Sequence, residues 1–207
     1  MSEKVNFRKE RIFNFKEILK ISNMVKISFL SVLSFIIMLI EIPVPFFPGF
    51  LKIDLSDVPA LVAGFTLGPI GGILVEFIKN LLHFIIKTDT GGVGEFANFL
   101  IGIALVIPSA TMYRIKRVRK MAFLGMGLGI ILMGIVGALA NYYILIPFYA
   151  KMMPIEQIIA WSSAANGAIR DLKTLILYGI LPFNIIKGIV IVIFTSAIYK
   201  KISHLFV

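Results

Sequence analysis

The stretch VPALVAGFTLGPIGGILVEFIKNLLHFII, Val58 to Ile86, decides how this chain is read. It is predominantly apolar and too long for a single bilayer crossing of about 20 residues. Gly68, Pro69, Gly71 and Gly72 punctuate its middle, and a proline with neighbouring glycines is the strongest local signal for a helix boundary. The stretch therefore divides into two shortened helices. Working outward, apolar runs at Val25–Ile42, Phe96–Tyr113, Met121–Phe148 and Leu172–Tyr199 supply four more. The fold class expected is all-α, a polytopic bundle of six transmembrane helices.

Composition agrees. The 207 residues are 58% hydrophobic and 15% charged, against about 45–50% and 25% in soluble domains. Six crossings would use about 120 residues, which leaves no room for an extramembrane motor domain of roughly 100 to 200 residues. The net charge of +10 does not point to nucleic acid, because the basic residues flank apolar runs instead of clustering on a soluble face. The absence of cysteine excludes disulfides and thiolate chemistry. With two histidines and no His-x-x-x-His pair, a zinc enzyme is not expected, and no P-loop sequence occurs. The polar amino-terminal stretch does not read as a cleavable signal peptide.

Charge placement tests the split. Lys4, Arg8, Lys9, Arg11, Lys16, Lys20 and Lys26 precede the first span; Arg114, Lys116, Arg117, Arg119 and Lys120 join the fourth to the fifth; Lys200 and Lys201 follow the sixth. Six spans put all of these on one side, and basic loops face the cytoplasm. The other side receives Lys52, Lys87, Lys151, Arg170 and Lys173. Both termini are expected in the cytoplasm, with residues 1–24 a basic amphipathic segment, 25–201 the six-helix domain and 202–207 a short tail. In the first segment Ile12, Phe15, Ile18 and Leu19 suit a helix lying on an anionic leaflet.

Ionisable residues at membrane depth are functional candidates. Glu76, Lys79, Asn80 and His83 fall at i, i+3, i+4 and i+7 and share a helical face, as do Asn184 and Lys187. With Glu41, Asn98 and Asn141 they describe a polar pocket opening outward above apolar packing. Glu76 and Lys79 read equally as an internal ion pair. Lys187 has no acidic residue on its own span to neutralise it, which favours ligand contact. Asp54 and Asp57 read as an ordinary helix start around Ser56 and Pro59. Ser28, Ser31 and Ser34 form a small-residue stripe for a partner subunit or for a neighbour within the chain. Pro154, Ile155, Ile158 and Ile159 can begin a short helix in the connection 149–171.

Five strings in order, FLKIDLSDVPAL (Phe50–Leu61), GFTLGPIGGILVEFIKNLLHF (Gly64–Phe84), GEFANFLIG (Gly94–Gly102), NYYILIPFY (Asn141–Tyr149) and PFNIIKG (Pro182–Gly188), resemble the riboflavin-specific substrate-binding subunits of energy-coupling-factor transporters. The resemblance implies a bacterial plasma-membrane S component that captures riboflavin from outside. It would work with a transmembrane coupling subunit and two cytoplasmic ATPases, with riboflavin as cargo and no cofactor of its own. Flavin mononucleotide is a second candidate ligand, and membrane lipid is the remaining partner. The motif positions assign Asn141, Asn184 and Lys187 as polar contacts, Leu51, Glu95 and Asn98 as further ones, and Lys79, Asn80 and His83 after them. The family's usual Ala-x-x-x-Ala docking pattern on the first helix is missing, and the serine stripe is its candidate replacement. Thiamin, biotin or folate remain alternative cargoes, and an ion-coupled transporter using Glu41, Glu76 or His83 is a competing mechanism.

Overall fold

A computed structural model describes residues 15–202, with side chains described through Ile198. The expected segment before Phe15 and the tail beyond Ile202 lie outside the described residues. A single turn, α1 (Phe15–Ile18), leads into α2 (Ile21–Met38). A short antiparallel pair follows, β1 (Ile42–Pro43) with β2 (Lys52–Ile53). Then come α3 (Asp57–Leu67), α4 (Pro69–Lys87), α5 (Val93–Ile115), α6 (Arg119–Tyr149), α7 (Ile155–Ala165) and α8, which starts at Leu172 and ends at Ile202. The first span begins and ends four residues earlier than the apolar run, because Ile42 and Pro43 are drawn into the pairing with Lys52 and Ile53.

Five of these helices, α2, α4, α5, α6 and α8, are long and apolar enough to cross a membrane. The sixth expected span, α3, is much shorter than these five. α3 has 11 residues, about 16 Å of helix against roughly 30 Å of hydrocarbon. It is also almost wholly buried, from Asp57 through Phe65, with Ala60, Leu61 and Ala63 at 0% exposure. α3 is a short helix enclosed by the others and does not present a full-length face to lipid.

The division of Val58–Ile86 falls at Gly68, whose φ of +96° belongs to the left-handed region that glycine enters without strain. Pro69 then occupies the first position of α4, where a missing N–H costs nothing. The reversal is tight enough that the two helices run antiparallel, bringing Asp57 of α3 against Lys79 of α4. A Cβ on Gly68 would lie 3.2 Å from the Arg114 guanidinium, and Arg114 in turn pairs with Glu17 at 3.4 Å. The α3–α4 turn, the basic end of α5 and the amino-terminal segment thus meet at one end of the bundle.

Two apolar clusters hold the bundle. The larger unites Leu30, Leu61, Val75, Leu105, Met133 and Ile191 from all the long helices and α3. The smaller, with Leu51, Ile146, Ile158, Ile169, Leu175, Ile180 and Phe183, packs the connections at the opposite end. There Ile158 and Ser162 of α7 face inward, so the helix anticipated at Ile155 forms. None of residues 150–171 lines the cavity described below.

The serine stripe divides. Ser31 and Ser34 are fully buried within the chain, and the Ser34 hydroxyl donates to the Ser56 carbonyl; only Ser28 is exposed. As a partner surface the stripe fails at Ser31 and Ser34, because their face packs against α3.

Gly68→Ala places a side chain where φ is +96° and the Arg114 head group is already close. It should lower stability by about 1–3 kcal/mol, measured as a reduced melting temperature in detergent; an unchanged melt would show that the turn tolerates a Cβ.

Candidate functional site

At the end of the bundle away from Arg114, the helices splay around a cavity of about 300 Å³, the lower range for small-molecule sites. Its walls come from the end of α2 (Met38), the β1–β2 hairpin and the loop after it (Phe50, Leu51, Lys52, Asp54), α4 (His83), α5 (Glu95, Asn98), α6 (Asn141, Leu145, Tyr149) and α8 (Phe183, Asn184, Lys187). Eight residues expected from sequence meet there: Glu41, Leu51, His83, Glu95, Asn98, Asn141, Asn184 and Lys187. Lys79 and Asn80 do not.

The two asparagines are held alike. Asn141 donates from Nδ2 to the Gly137 carbonyl at 2.8 Å, and Asn184 donates to the Ile180 carbonyl at 2.9 Å. An asparagine amide has two N–H donors and one carbonyl acceptor, so each retains an acceptor and a donor for the cavity. Gly137 supports both, since a Cβ there would fall 2.5 Å from the Asn184 Nδ2.

His83 Nδ1 lies 2.9 Å from Glu95 Oε1, and Thr90 donates to Glu95 Oε2 at 3.1 Å. A carboxylate at Nδ1 selects the tautomer with the proton there. His83 Nε2, buried and without a partner, is then an acceptor. Asn80 donates to the Glu76 carbonyl and accepts from Asn98 Nδ2 at 3.2 Å, which places it behind Asn98.

Below the cavity the apolar floor expected from sequence is replaced by a buried charge network. Lys187 Nζ donates to Asp54 Oδ2 at 2.8 Å and lies 3.9 Å from Asp57 Oδ2. Lys79 pairs with Asp57 and, at 2.9 Å, with Glu76, and donates to the Ser56 hydroxyl. The Glu76–Lys79 ion pair is therefore real. Lys79 is fully enclosed and has no opening to the cavity, because Asp57 and Glu76 hold it below.

Two further readings change. Asp54 and Asp57 are not merely a helix start: Ser56 makes no side-chain cap, and both carboxylates serve the lysines. Lys187 does have an acidic partner, from a connection 133 residues away, a distance no local pattern reveals. Phe50, Lys52, Asp89, Tyr149 and Phe183 also line the cavity without having been singled out. Four of them sat inside quoted strings, and Phe50 and Tyr149 face each other with ring centroids 6.3 Å apart.

Comparison with known proteins gives a consistent picture. Residues 22–199 match the family described as the ECF transporter, substrate-specific component. The chain is 39% identical over 181 residues to a riboflavin transporter, RibU, of Staphylococcus aureus (strain TCH60), covering 87% of this chain and 90% of that protein. It is also 39% identical over 187 residues to a riboflavin transporter, FmnP, of Bacillus subtilis (strain 168), covering 89% and 94%. Among solved structures it resembles the S component of a bacterial ECF transporter, with a TM-score of 0.72 and 37% identity over 88% of this chain and 95% of that one.

Lys79→Met alone strands Asp57 and Glu76 as buried carboxylates, which should destabilise the chain by about 3–5 kcal/mol. Combining it with Asp57→Asn and Glu76→Gln should recover most of the loss in a detergent melt. A triple variant as unstable as the single one would show that the network is not compensating charge. Gly137→Ala, which displaces the Asn184 amide, should weaken ligand binding by about tenfold with a smaller effect on the melt, as read by ligand titration beside thermal denaturation.

Proposed function

The chain belongs to the family of substrate-specific components of ECF transporters, and from that membership we propose that it captures riboflavin outside the cell and delivers it for uptake driven by partner ATPases. The observation that carries this reading is the cavity wall on which Asn141, Asn184 and Lys187 converge. Isoalloxazine is a flat aromatic body with carbonyl and ring-nitrogen acceptors and one imide N–H along an edge. Two amides, each with an acceptor and a donor left over, and an ammonium with donors beyond its bond to Asp54 match that edge. Phe183 beside Asn184, and the Phe50 and Tyr149 rings, offer aromatic faces to the body of the ring. The ribityl chain then extends toward Glu95, Asn98 and His83, whose free Nε2 accepts from a hydroxyl.

As a member of this family the chain is a transport component and not a catalyst, and riboflavin is cargo, not cofactor. The partners proposed are a transmembrane coupling subunit and two ATPase subunits, which would supply the energy for uptake. It is a multi-pass membrane protein, and the topology proposed keeps both termini in the cytoplasm of a bacterial cell. The α3–α4 turn lies beside Arg114, at the basic and therefore cytoplasmic end. The polypeptide from Asp54 to Gly68 thus completes a sixth crossing, partly as a buried loop and partly as α3. Irregular backbone at that depth is acceptable because it is enclosed by protein.

Protein purified in mild detergent should be yellow with flavin absorption, or should quench the fluorescence of added riboflavin. Asn184→Ala should weaken binding by about tenfold and Lys187→Ala by more, in variants that still elute as folded protein. Colourless protein indifferent to riboflavin overturns the function, and unchanged affinity in both variants overturns the site.

A further inference from the structure

The mouth of the cavity carries charge that contacts to a neutral vitamin do not require. Six lining side chains are formally charged at neutral pH: Glu41, Asp54, Asp89 and Glu95 against Lys52 and Lys187. Both ammonium groups are engaged. Lys187 is held by Asp54 at 2.8 Å in the floor, and Lys52 by Glu41 at 2.6 Å at the rim. Its hydrogen bond to Glu41 holds the Lys52 ammonium above its ordinary pKa; against a smaller opposing effect of burial, the charges of Glu41 and Asp89 add to this. Lys52 therefore remains cationic and paired. With these two pairs set aside, Asp89 and Glu95 remain, the first exposed at the rim and the second buried against His83. Tyr149, beside them, is within electrostatic reach of both carboxylates and of Lys52. This acidic mouth belongs to a chain whose net charge is +10, so it is not inherited from overall composition.

Resting on the reading of the cavity as a riboflavin site, we propose that Asp89 and Glu95, with Glu41 holding Lys52 out of use, form a charge filter that selects the uncharged vitamin over its phosphate monoester. With the ring held by Asn141, Asn184 and Lys187, the far end of the ribityl chain points to the rim, which is where the monoester carries its phosphate. A phosphate monoester bears about −1.5 to −2 charges at pH 7. In a cleft with low-dielectric walls, repulsion from carboxylates acts more strongly than in bulk water. The cation nearest that position, Lys52, is already committed to Glu41. Among the described residues lining the cavity none is arginine, the side chain that takes phosphate through two parallel hydrogen bonds. Riboflavin has no charge at this end and meets none of the penalty.

The test is a pair of fluorescence titrations on the purified full-length chain, with riboflavin and with flavin mononucleotide, from about 0.01 to 1 M salt, over which the Debye length falls from about 30 to 3 Å. The monoester should bind about tenfold or more weakly at low salt, and the ratio should narrow as salt rises. Asp89→Asn and Glu41→Gln should each narrow the low-salt ratio by about fivefold, the second by releasing Lys52 as well as removing a charge. Lys52→Gln should widen it. Equal affinities at low salt, or tighter binding of the monoester, overturn the filter. So does a large ratio indifferent to salt and to both neutralising substitutions, which would mark discrimination by size. In each of these results riboflavin itself binds and the proposed function stands. Absence of riboflavin binding is the separate outcome that removes that function and the filter with it.

Discussion

The structure depends on a buried set of charges, with Lys187 between Asp54 and Asp57 and Lys79 between Asp57 and Glu76. Removing such groups from water costs several kcal/mol per ion, and only close pairing and hydrogen bonding offset that cost. Neither lysine has a full set of partners on its own helix. The loop before α3 must therefore descend between α4 and α8 to supply Asp54 and Asp57, and its descent places Leu51 and Phe50 over the cavity. The network is weak evidence for stability as such, but strong evidence for position: it fixes one loop against two helices that are far away in sequence.

A loop taken to that depth must satisfy its own backbone, because hydrocarbon offers no hydrogen bonds. Ser56 shows how this is done. Its N–H donates to Asp54 at 2.9 Å, its carbonyl accepts from Ser34 and its hydroxyl accepts from Lys79. The buried serine of α2 is thus accounted for by a carbonyl that would otherwise be stranded. The same descent explains why α3 is short, since the loop occupies the upper part of the path and the helix only the remainder.

Hydropathy and punctuation made the bundle legible. The long spans and the break at Gly68 follow from local rules, as does the shared face of Glu76, Lys79, Asn80 and His83. What local rules omit is where along that face the surroundings change. His83 reaches the cavity while Lys79, one turn deeper, is enclosed by Asp57 and Glu76. That division depends on α3 lying alongside α4, a tertiary fact. The partner of Lys187 was hidden for the same reason, and the absence of an acid on its own helix could not reveal one from the loop.

The cavity wall on α6 shows a second limit of periodic reading. Asn141, Leu145 and Tyr149 all line the cavity, a spacing of four that drifts around a helix of 3.6 residues per turn. Here the helix widens: the Ile146 N–H bonds to the Asn141 carbonyl, five residues back, and in α8 the Leu181 N–H bonds likewise to Ile176. Each widened turn stands directly before a proline, Pro147 and Pro182. A proline within a helix removes one N–H and presses its ring against the carbonyl four residues earlier, and the extra residue in the turn relieves that pressure. Local widening of this kind concentrates at functional sites, and here it has a geometric use. It brings residues spaced by four back onto one face, so that a single stretch of α6 offers an amide, an aliphatic side chain and an aromatic ring to the same ligand. In α8 the widened turn ends just before Phe183 and Asn184, which bring an aromatic ring and an amide to the same cavity. Neither proline was singled out from the sequence, and their effect on which side chains share a face emerges only when the turn they widen is seen.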